Sequence, residues 1–559
     1  MPILRVRNIG SKGVITDLPS FELPPEGWTN ARNLRFVANR VEKVGGYFPV
    51  LTEGMPTDPP LAILYRNNTS NQMFGTKDSL YMVSGRQHIN VSKKIDPSGT
   101  EDPSNIFQYS ASPDSTWYYT TLSNAVVMNT PRDVPQGFVP NESRFKDLPG
   151  WGYPTGPTGS LVDWRCGRLR AYRNYLIALD MTEGGINLPQ RVRWSNVAFV
   201  NQLPPDWIEN DEAKDGGFND LTDANGRIVD GIPLRDSFVI YTDKETYLME
   251  YVGGLLIFQF KKLFSDAGIL APECAVEFEG KHFVITQDDI FVHNGSTRQP
   301  IASARTKKFL IDEISSTNPL ATKVFAYTPA KEIWVTYVGN GQTDPTNPDL
   351  SWTCNKCAVW NWEWDTWTFF DIPPSFDINM APPPDLTTPE WEDMSDPEDY
   401  WDSAKWQSYQ WSSLGKDFVK NVPYIASADK CLYTLDIGKE QLRYVQSTNT
   451  INKQPVIAEL LRTHLDMDEL VENIRMCKFI KTITPQFRGT GQINCYIGGS
   501  DNPTEEPTWD NYQVFDIETD IKIDGYSNNR YPAIRFVDFS DGDWSFQGYD
   551  IDFVVEGNR

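Results

Sequence analysis

Cys354 and Cys357 form a CxxC pair, the strongest sign of chemistry in this sequence. The pair opens the stretch Cys354–Phe370, which also contains four tryptophans and two phenylalanines. A structural zinc site needs a second pair of ligands at short spacing, and none follows. A redox CxxC lies at the start of a helix, whereas the alternating residue types here predict a strand. We therefore interpret both cysteines as core residues rather than as metal ligands or redox groups.

Other catalytic patterns are missing or incomplete. The sequence has no P-loop, GxGxxG, GxSxG or HExxH motif and only four histidines, at positions 88, 282, 293 and 464. Ser112–Trp117 resembles one sialidase Asp-box but lacks its glycine, and the acidic cluster at 392–402 lacks the regular ligand spacing of a calcium loop. A pair of carboxylates that cleaves glycosidic bonds, as in a glycosidase, stays an alternative. We expect no enzyme activity and assign no catalytic, cofactor-binding or metal-ligating residue.

The charge of the chain argues against stable binding to nucleic acid. Its 559 residues include 75 acidic and 51 basic ones, which gives a net charge of −24. A protein that holds DNA needs basic residues to neutralise phosphates, so this chain is expected to repel a duplex. No run of 18 apolar residues and no signal-peptide core occur, so we expect no membrane span. Seven scattered cysteines are typical of a protein made in a reducing cytoplasm.

One local pattern recurs along the chain: an apolar strand, a polar turn and a second apolar strand. Asp and Asn suit these turns because they tolerate a left-handed backbone. Copies are mostly about 45 to 70 residues apart, a spacing typical of propeller blades, and we predict six to eight blades. A tandem of β-sandwiches is the alternative. The seven copies are Met73–Val83, Trp117–Met128, Leu169–Ala178, Phe238–Met249, Phe283–Val292, Val324–Tyr337 and Tyr424–Tyr433.

The tryptophan-rich stretch fits the same pattern. Alternation puts Trp360, Trp362 and Trp364 on one strand face. Asp365–Thr366 is the predicted turn, and Trp367 returns on the partner strand as a cross-strand aromatic neighbour. Pro373–Pro374 is predicted to end that strand. The stretch is thus interpreted as the inside of a sheet.

These patterns predict an all-β chain with three parts. Residues 1–60 are predicted to form an extended docking segment. Residues 61–440 are predicted to form a β-propeller-like domain with an acidic, Trp-rich insertion at about 375–415. Residues 441–559 are predicted to form a C-terminal β-sandwich, in which Tyr549, Ile551 and Phe553 face inward and Asp550 and Asp552 face outward.

Six phrases of the sequence, in order, resemble tail proteins of short-tailed phages. They cover nearly the whole chain, although no single one is diagnostic. They are Leu23–Phe36, Arg40–Tyr47, Arg191–Asn196, Leu263–Pro272, His282–Gly295 and Gly548–Phe553. The family that they resemble is the podovirus tail hub or nozzle, of the tail stabilisation or tail tubular protein B type.

The resemblance implies a virion structural protein made in the host cytoplasm. Six copies would form a tube below the portal and the tail adaptor protein, continue the DNA ejection channel and anchor fibres or a needle. Genomic DNA would pass without specific binding. The resemblance implies no catalytic residue, cofactor or metal ligand for this chain. The alternative function is a propeller-type carbohydrate-active tail enzyme or receptor-binding protein.

Overall fold

The structure is a computed structural model that describes most of the chain. The described ranges are 3–16, 18–50, 56–66, 71–84, 87–100, 102–152, 162–209, 211–254, 256–301, 304–315, 318–339, 348–382, 421–445, 447–448, 450–470 and 476–556. The insertion predicted at about 375–415 is described only as far as residue 382. The acidic cluster at 392–402 lies outside the described residues.

Five short strands occupy the first 50 residues. In the first of them, Val6 is buried between exposed Arg5 and Arg7, because successive side chains of a strand point to opposite faces. The strands are β1 (Ile3–Arg7), β2 (Asn30–Arg32), β3 (Leu34–Val37), β4 (Arg40–Lys43) and β5 (Tyr47–Val50).

The next part of the chain folds into five successive four-stranded antiparallel sheets. The first contains β6 (Ala62–Arg66), β7 (Asn71–Gly75), β8 (Leu80–Ser84) and β9 (Gln87–Asn90). The second contains β10 (Tyr118–Leu122), β11 (Ala125–Asn129), β12 (Gln136–Phe138) and β13 (Lys146–Asp147). The third contains β14 (Trp164–Tyr172), β15 (Tyr175–Glu183), β16 (Ile186–Trp194) and β17 (Gly217–Asp220). The fourth contains β18 (Ile228–Leu234), β19 (Ser237–Thr242), β20 (Thr246–Gly253) and β21 (Ile257–Phe264), and the fifth contains β22 (Ala275–Phe278), β23 (Lys281–Ile285), β24 (Ile290–His293) and β25 (Arg298–Pro300).

Two further four-stranded units follow a single helix, α1 (Ala304–Ser315). Their strands are β26 (Lys323–Tyr327), β27 (Glu332–Tyr337), β28 (Cys354–Asn361), β29 (Thr366–Ala381), β30 (Val422–Ser427) and β31 (Leu432–Leu435). The long strand β29 belongs to both units, since its first part pairs mainly with β28 and its part from Ser375 onward pairs with β30. Pro373–Pro374 lies where the partner changes. Proline has no backbone N–H for a ladder bond, so the strand changes partner there but does not end, and the prediction that it ends was wrong.

The seven units form a ring, the arrangement of a β-propeller. Their first strands are neighbours in the order β10, β14, β18, β22, β26, β29 and β6. The N-terminal strand β5 is the outer strand of the seventh blade, where Leu432 pairs with Val50. The chain then passes from β5 to β6, the inner strand of the first blade. The propeller is therefore closed by an N-terminal strand that completes the last blade.

The remaining strands form a β-sandwich and one hairpin. They are β32 (Glu440–Val445), β33 (Thr450–Pro455), β34 (Ala458–Arg462), β35 (Cys477–Gly489), β36 (Gln492–Ser500), β37 (Thr508–Trp509), β38 (Gln513–Asp516), β39 (Ile523–Asp524), β40 (Asn528–Asn529), β41 (Tyr531–Asp538) and β42 (Trp544–Glu556). One layer contains β1, β3, β4, β42, β35, β39 and β40. The facing layer runs β2, β34, β41, β36, with β37 and β38 beyond. Short 3-10 turns occupy Ser20–Glu22, Pro103–Asn105, Pro319–Ala321, Thr328–Ala330, Pro348–Trp352 and Asp468–Leu470.

The N-terminal segment, predicted to be a docking segment, docks on its own chain. Strand β1 pairs with β42, and β2 pairs with β34. Trp28 is fully buried in the sandwich core, and its ring lies 6.1 Å from that of Tyr549 and 6.4 Å from that of Phe546. The two ends of the chain therefore share one hydrophobic core.

The predicted fold class is confirmed: the chain is all-β and propeller-like. Each of the seven predicted hairpins lies in a different blade. The predicted orientation in β42 is also confirmed, since Tyr549, Ile551 and Phe553 are fully buried whereas Asp550 and Asp552 are not.

Candidate functional site

The axis of the propeller carries a ring of charged side chains, here called the axial belt. It is defined by Arg170, Asp230, Glu273, Lys323 and Asp377. Four of these residues lie on the inner strands β14, β18, β26 and β29, and Glu273 lies just before β22. Inner strands converge on the axis, so a long charged side chain on each of them reaches its neighbours in adjacent blades.

The belt is continuous around the axis. Arg170 donates to both carboxylate oxygens of Asp230, at 2.9 and 2.7 Å. Asp230 also accepts from the backbone N–H of Glu273 at 2.9 Å. Lys323 Nζ lies 2.8 Å from Glu273 Oε2 and 2.9 Å from Asp377 Oδ1. Asp377 Oδ2 in turn accepts from the backbone N–H of Ile63 in the first blade, at 2.9 Å.

Backbone and amide contacts complete the circle through the second blade. Arg170 Nη1 donates to the carbonyl of Tyr119 at 3.2 Å. Asn379 on β29 donates to the Tyr119 hydroxyl at 2.7 Å and to the carbonyl of Ile63 at 3.1 Å. All seven blades thus contribute to one network, which locks them in register around the axis.

Burial sets the protonation of the belt. Burial raises the pKa of Asp377 to about 6, although Lys323 opposes that rise. Burial also disfavours the charge of Lys323, but Asp377 and Glu273 outweigh it and raise the pKa of Lys323 well above its usual value. Asp230 is fully buried, yet Arg170 holds its pKa below the usual range. Asp377, Lys323 and Asp230 are therefore ionised at neutral pH.

Two chambers lie along the axis, with the belt between them. The first has a volume of about 630 Å³ and the second about 500 Å³, and both are lined by Glu273 and Lys323. Volumes of this size suit a small ligand. They do not suit a DNA duplex, so the propeller axis is not a passage for DNA.

A second buried polar chain joins the fourth and fifth blades. The hydroxyl of Tyr241 lies 2.7 Å from His282 Nδ1 and 2.6 Å from His293 Nε2. His282 Nε2 must donate to the carbonyl of Pro233, at 2.8 Å, because a carbonyl cannot donate. Tyr241 therefore donates to His282 and accepts from His293, whose Nδ1 accepts from the N–H of Gly295.

This chain of bonds requires both histidines to be neutral. Burial lowers the pKa of His282 to about 4. Burial and the neighbouring His282 lower the pKa of His293 to about 3. The pair is consequently a satisfied structural unit at neutral pH.

The N-terminal strands are tied to the propeller by buried ion pairs. Arg35 Nε and Nη2 donate to Glu332 of the sixth blade, at 2.5 and 3.1 Å. Arg35 Nη2 also donates to Asp436, at 3.1 Å. A more exposed pair joins Arg32, whose side chain is 45% exposed, to Asp371 of strand β29. These contacts fix the sandwich against the sixth and seventh blades.

The cysteines singled out in the sequence lie inside the propeller. Cys354 and Cys357 are both buried on β28, and burial raises the pKa of the Cys354 thiol to about 12. Trp360 pairs in register with Trp367, with ring centroids 6.4 Å apart. Trp362 and Trp364 lie in the turn rather than on the strand, because the hairpin already closes at Asn361 and Thr366. The interpretation as a sheet interior holds for Trp360 and Trp367, but the predicted strand position of Trp362 and Trp364 was wrong.

The Asp-box-like stretch folds as a small polar turn. Ser112 Oγ donates to Asp114 Oδ1 at 2.5 Å, and Trp117 Nε1 donates to the carbonyl of Thr76 at 2.7 Å. Within the described part of the chain, no cluster of three or more His, Cys, Asp or Glu side chains has metal-site geometry. No described helix is long and apolar enough to cross a membrane.

Sequence patterns did not identify the belt or the Tyr241–His282–His293 unit. The available signal was a charged residue within an otherwise apolar first strand, as with Lys323 immediately before Val324–Tyr337. That signal does not show which charges meet, because the partners come from different blades.

Comparisons with known proteins give a weak structural likeness and no family. No family model matches the chain, and no curated protein matches it. The WD40 repeats of RRP9 are 11% identical over 61% of this chain and 89% of theirs, with a TM-score of 0.34. U3-55K is 10% identical over 58% of this chain and 86% of its own, with a TM-score of 0.33. PorZ, a surface component of the type-IX secretion system of Porphyromonas gingivalis, is 9% identical over 85% of this chain and 47% of its own, with a TM-score of 0.36. Scores this low carry no argument, and the assignment of the fold depends on the strand pairing.

Proposed function

We propose that this chain is a structural protein of a short-tailed phage tail, in the hub or nozzle position. Six copies form a tube below the portal and the adaptor protein, and the tube binds fibres or a needle. The proposal depends on one observation, the six ordered phrases that resemble this family. The chain has no catalytic role in the proposal.

The positions of these phrases support the proposal. Trp28 of Leu23–Phe36 packs on Tyr549 of Gly548–Phe553, with ring centroids 6.1 Å apart. Val41 of Arg40–Tyr47 pairs with Phe546, on the same strand as Gly548–Phe553. The phrases from the two ends of the sequence thus belong to one folded unit. The other three lie in the third to fifth blades and their connections.

The axial belt determines where a DNA conduit could run. Because the belt crosses the propeller axis, the conduit of the proposed tube lies between copies of the chain and not through any one propeller. The net charge of −24 suits a wall past which a phosphate backbone moves without being held.

The direct test is cryo-electron microscopy of tails from particles of the phage that encodes this chain. We expect density for the chain with sixfold symmetry, located between the adaptor and the tip. The proposal fails if the chain is absent from particles or occupies a fibre.

A second test addresses the enzymatic alternative. Purified chain is incubated with host surface polysaccharide, and released oligosaccharides are measured by chromatography. The proposal predicts no release above a heat-inactivated control, and catalytic release would favour the carbohydrate-active alternative.

A further inference from the structure

The first axial chamber has the features of a small-ligand site. Its volume is about 630 Å³, and it lies at the end of the propeller where the inner strands begin. Exposed side chains at its rim connect it to solvent, since Arg227 is 60% and Asp114 50% exposed. The belt residues Glu273 and Lys323 form its floor.

Arg168 is the unusual residue in this chamber. The residue is only 9% exposed, and its guanidinium carbon lies 3.5 Å from the centroid of the Tyr118 ring. Nη1 donates to the carbonyl of Gly167 at 2.5 Å, while Nε is buried without a hydrogen-bond acceptor. No carboxylate among the described residues lies within ion-pair distance of it. Asp180 and Asp230 interact with Arg168 electrostatically but do not contact it. A buried arginine without a directly paired anion is unfavourable, and a bound anion in contact with it would reduce that penalty.

The other cations of the chamber already have partners. Arg132 pairs with Asp114 at 2.9 Å, and Arg227 pairs with Asp180 at 2.6 Å. Lys323 belongs to the belt. The lining contains as many acidic as basic residues, namely Asp114, Asp180, Asp243 and Glu273 against Arg132, Arg168, Arg227 and Lys323. In a chain of net charge −24, this neutral pocket is a place where a small anion meets little repulsion.

The rest of the lining suits a ligand rich in hydroxyl groups. Ser115 and Gln287 supply a hydroxyl and an amide group. The Thr116 hydroxyl donates to the carbonyl of Leu61 and has only its acceptor capacity left. Trp352 supplies an aromatic surface against which a sugar ring can pack. A ligand that fits this lining has one carboxylate to pair with Arg168 and several hydroxyls to bond with the polar groups. A sugar acid has both features, whereas a simple fatty acid or an amino acid lacks the hydroxyls.

We propose that the first chamber binds a sugar acid. Its carboxylate pairs with the guanidinium of Arg168, which is held in place by Tyr118 and the Gly167 carbonyl. Its hydroxyls bond to the polar lining. Planar, charge-assisted pairing of arginine with carboxylate is among the stronger polar contacts in proteins. The proposal does not depend on the position of the chain in a phage tail.

The test is calorimetric titration of the full chain with D-glucuronate, D-glucose and acetate. Glucuronate is expected to bind saturably. Glucose lacks the carboxylate and acetate lacks the hydroxyls, so each is expected to bind at least roughly tenfold more weakly. The variant Arg168→Gln is expected to weaken glucuronate binding by roughly 10- to 100-fold.

The matched control is Arg165→Gln, on the same strand. Arg165 pairs with Asp163 at 3.0 Å and does not line the chamber, so this variant should bind glucuronate as the original chain does. Thermal melting shows whether each variant is folded. The proposal is overturned if glucuronate does not bind, if Arg168→Gln folds and binds normally, or if glucose or acetate binds as tightly. The ligand comparison is decisive even if Arg168→Gln does not fold.

Discussion

At the residue scale, Lys323 is the centre of the axial belt. Its ammonium group lies within 2.9 Å of carboxylates from two different elements, Glu273 and Asp377. Both carboxylates are largely removed from water. Removing one partner of a buried charge group costs more than an exposed pair contributes, because the remaining charges lose both their partner and their solvent.

We predict that Lys323→Met lowers the free energy of unfolding by about 3–5 kcal/mol. The control is Lys331→Met in the same blade, where Lys331 and Glu363 are 44% and 43% exposed, and its effect should be much smaller because solvent screens the pair. Denaturant titration measures both. Adding Asp377→Asn to Lys323→Met should recover part of the loss, and equal losses from Lys323→Met and Lys331→Met would contradict the role of the belt.

The two histidines of the Tyr241 unit predict a loss of stability in acid. Their pKa values in the folded chain are about 4 and 3, below the ordinary value of 6.5. Between about pH 6.5 and 4 the unfolded chain therefore binds protons that the folded chain does not. Stability is full above pH 6.5 and falls as the pH falls, by up to about 1.4 kcal/mol per pH unit for each histidine.

The variant His293→Gln tests this pH dependence. It removes one titrating group, so the free energy of unfolding should change less steeply with pH between 6.5 and 4 than in the original chain. Chemical denaturation at several pH values gives both slopes. Identical slopes would show that His293 does not contribute in this range.

At the element scale, the N-terminal strands connect the β-sandwich to the propeller. Strands β1, β3 and β4 extend the layer that contains β42, and β2 joins the facing layer beside β34. Trp28 lies between them, with its Nε1 donating to the carbonyl of Ile9 at 2.9 Å. The adjoining strand β5 closes the propeller, so one short N-terminal region connects both domains.

We predict that Trp28→Ala destabilises the sandwich by about 3–5 kcal/mol, because it leaves a large cavity in a shared core. Hydrogen exchange should increase in β1 and β42 before it increases in the inner strands of the propeller. The control is Trp364→Ala, since Trp364 is 42% exposed in a turn, and its effect should be below about 0.5 kcal/mol. Uniform exchange across both domains in Trp28→Ala would argue against a local role.

At the scale of the whole molecule, net charge and the closed propeller axis predict whether the chain can bind a DNA duplex. The propeller is closed at its axis by the belt, and the net charge is −24. A duplex can therefore approach only the outer surface of a chain in which acidic residues exceed basic ones by 75 to 51. Proteins that hold DNA without sequence preference do so through many cationic contacts to phosphates.

We predict no measurable binding of the purified chain to a fluorescent duplex at micromolar protein concentration and about 0.1 M salt. Fluorescence anisotropy measures this, and a weak signal should not show the steep salt dependence of phosphate contacts. Binding with a Kd below about 1 μM that weakens as salt rises would reveal a basic patch and contradict the expected free passage of DNA.

The sequence by itself determined the local structure of this protein. Each of the seven hairpins joins two strands that are neighbours along the chain, so alternation and turn residues were enough to identify them. The same alternation determined which side of β42 is buried. The buried role of Cys354 and Cys357 followed from missing ligands and from strand periodicity.

Only the tertiary structure decided which elements meet. Asp377 bonds to Ile63, more than 300 residues earlier, and β1 pairs with the last strand, β42. A sequence pattern shows that a strand has a buried face, but not which strand covers that face. The belt could not be predicted for the same reason, since each of its charges comes from a different blade or its approach. Its network exists only after the ring has closed.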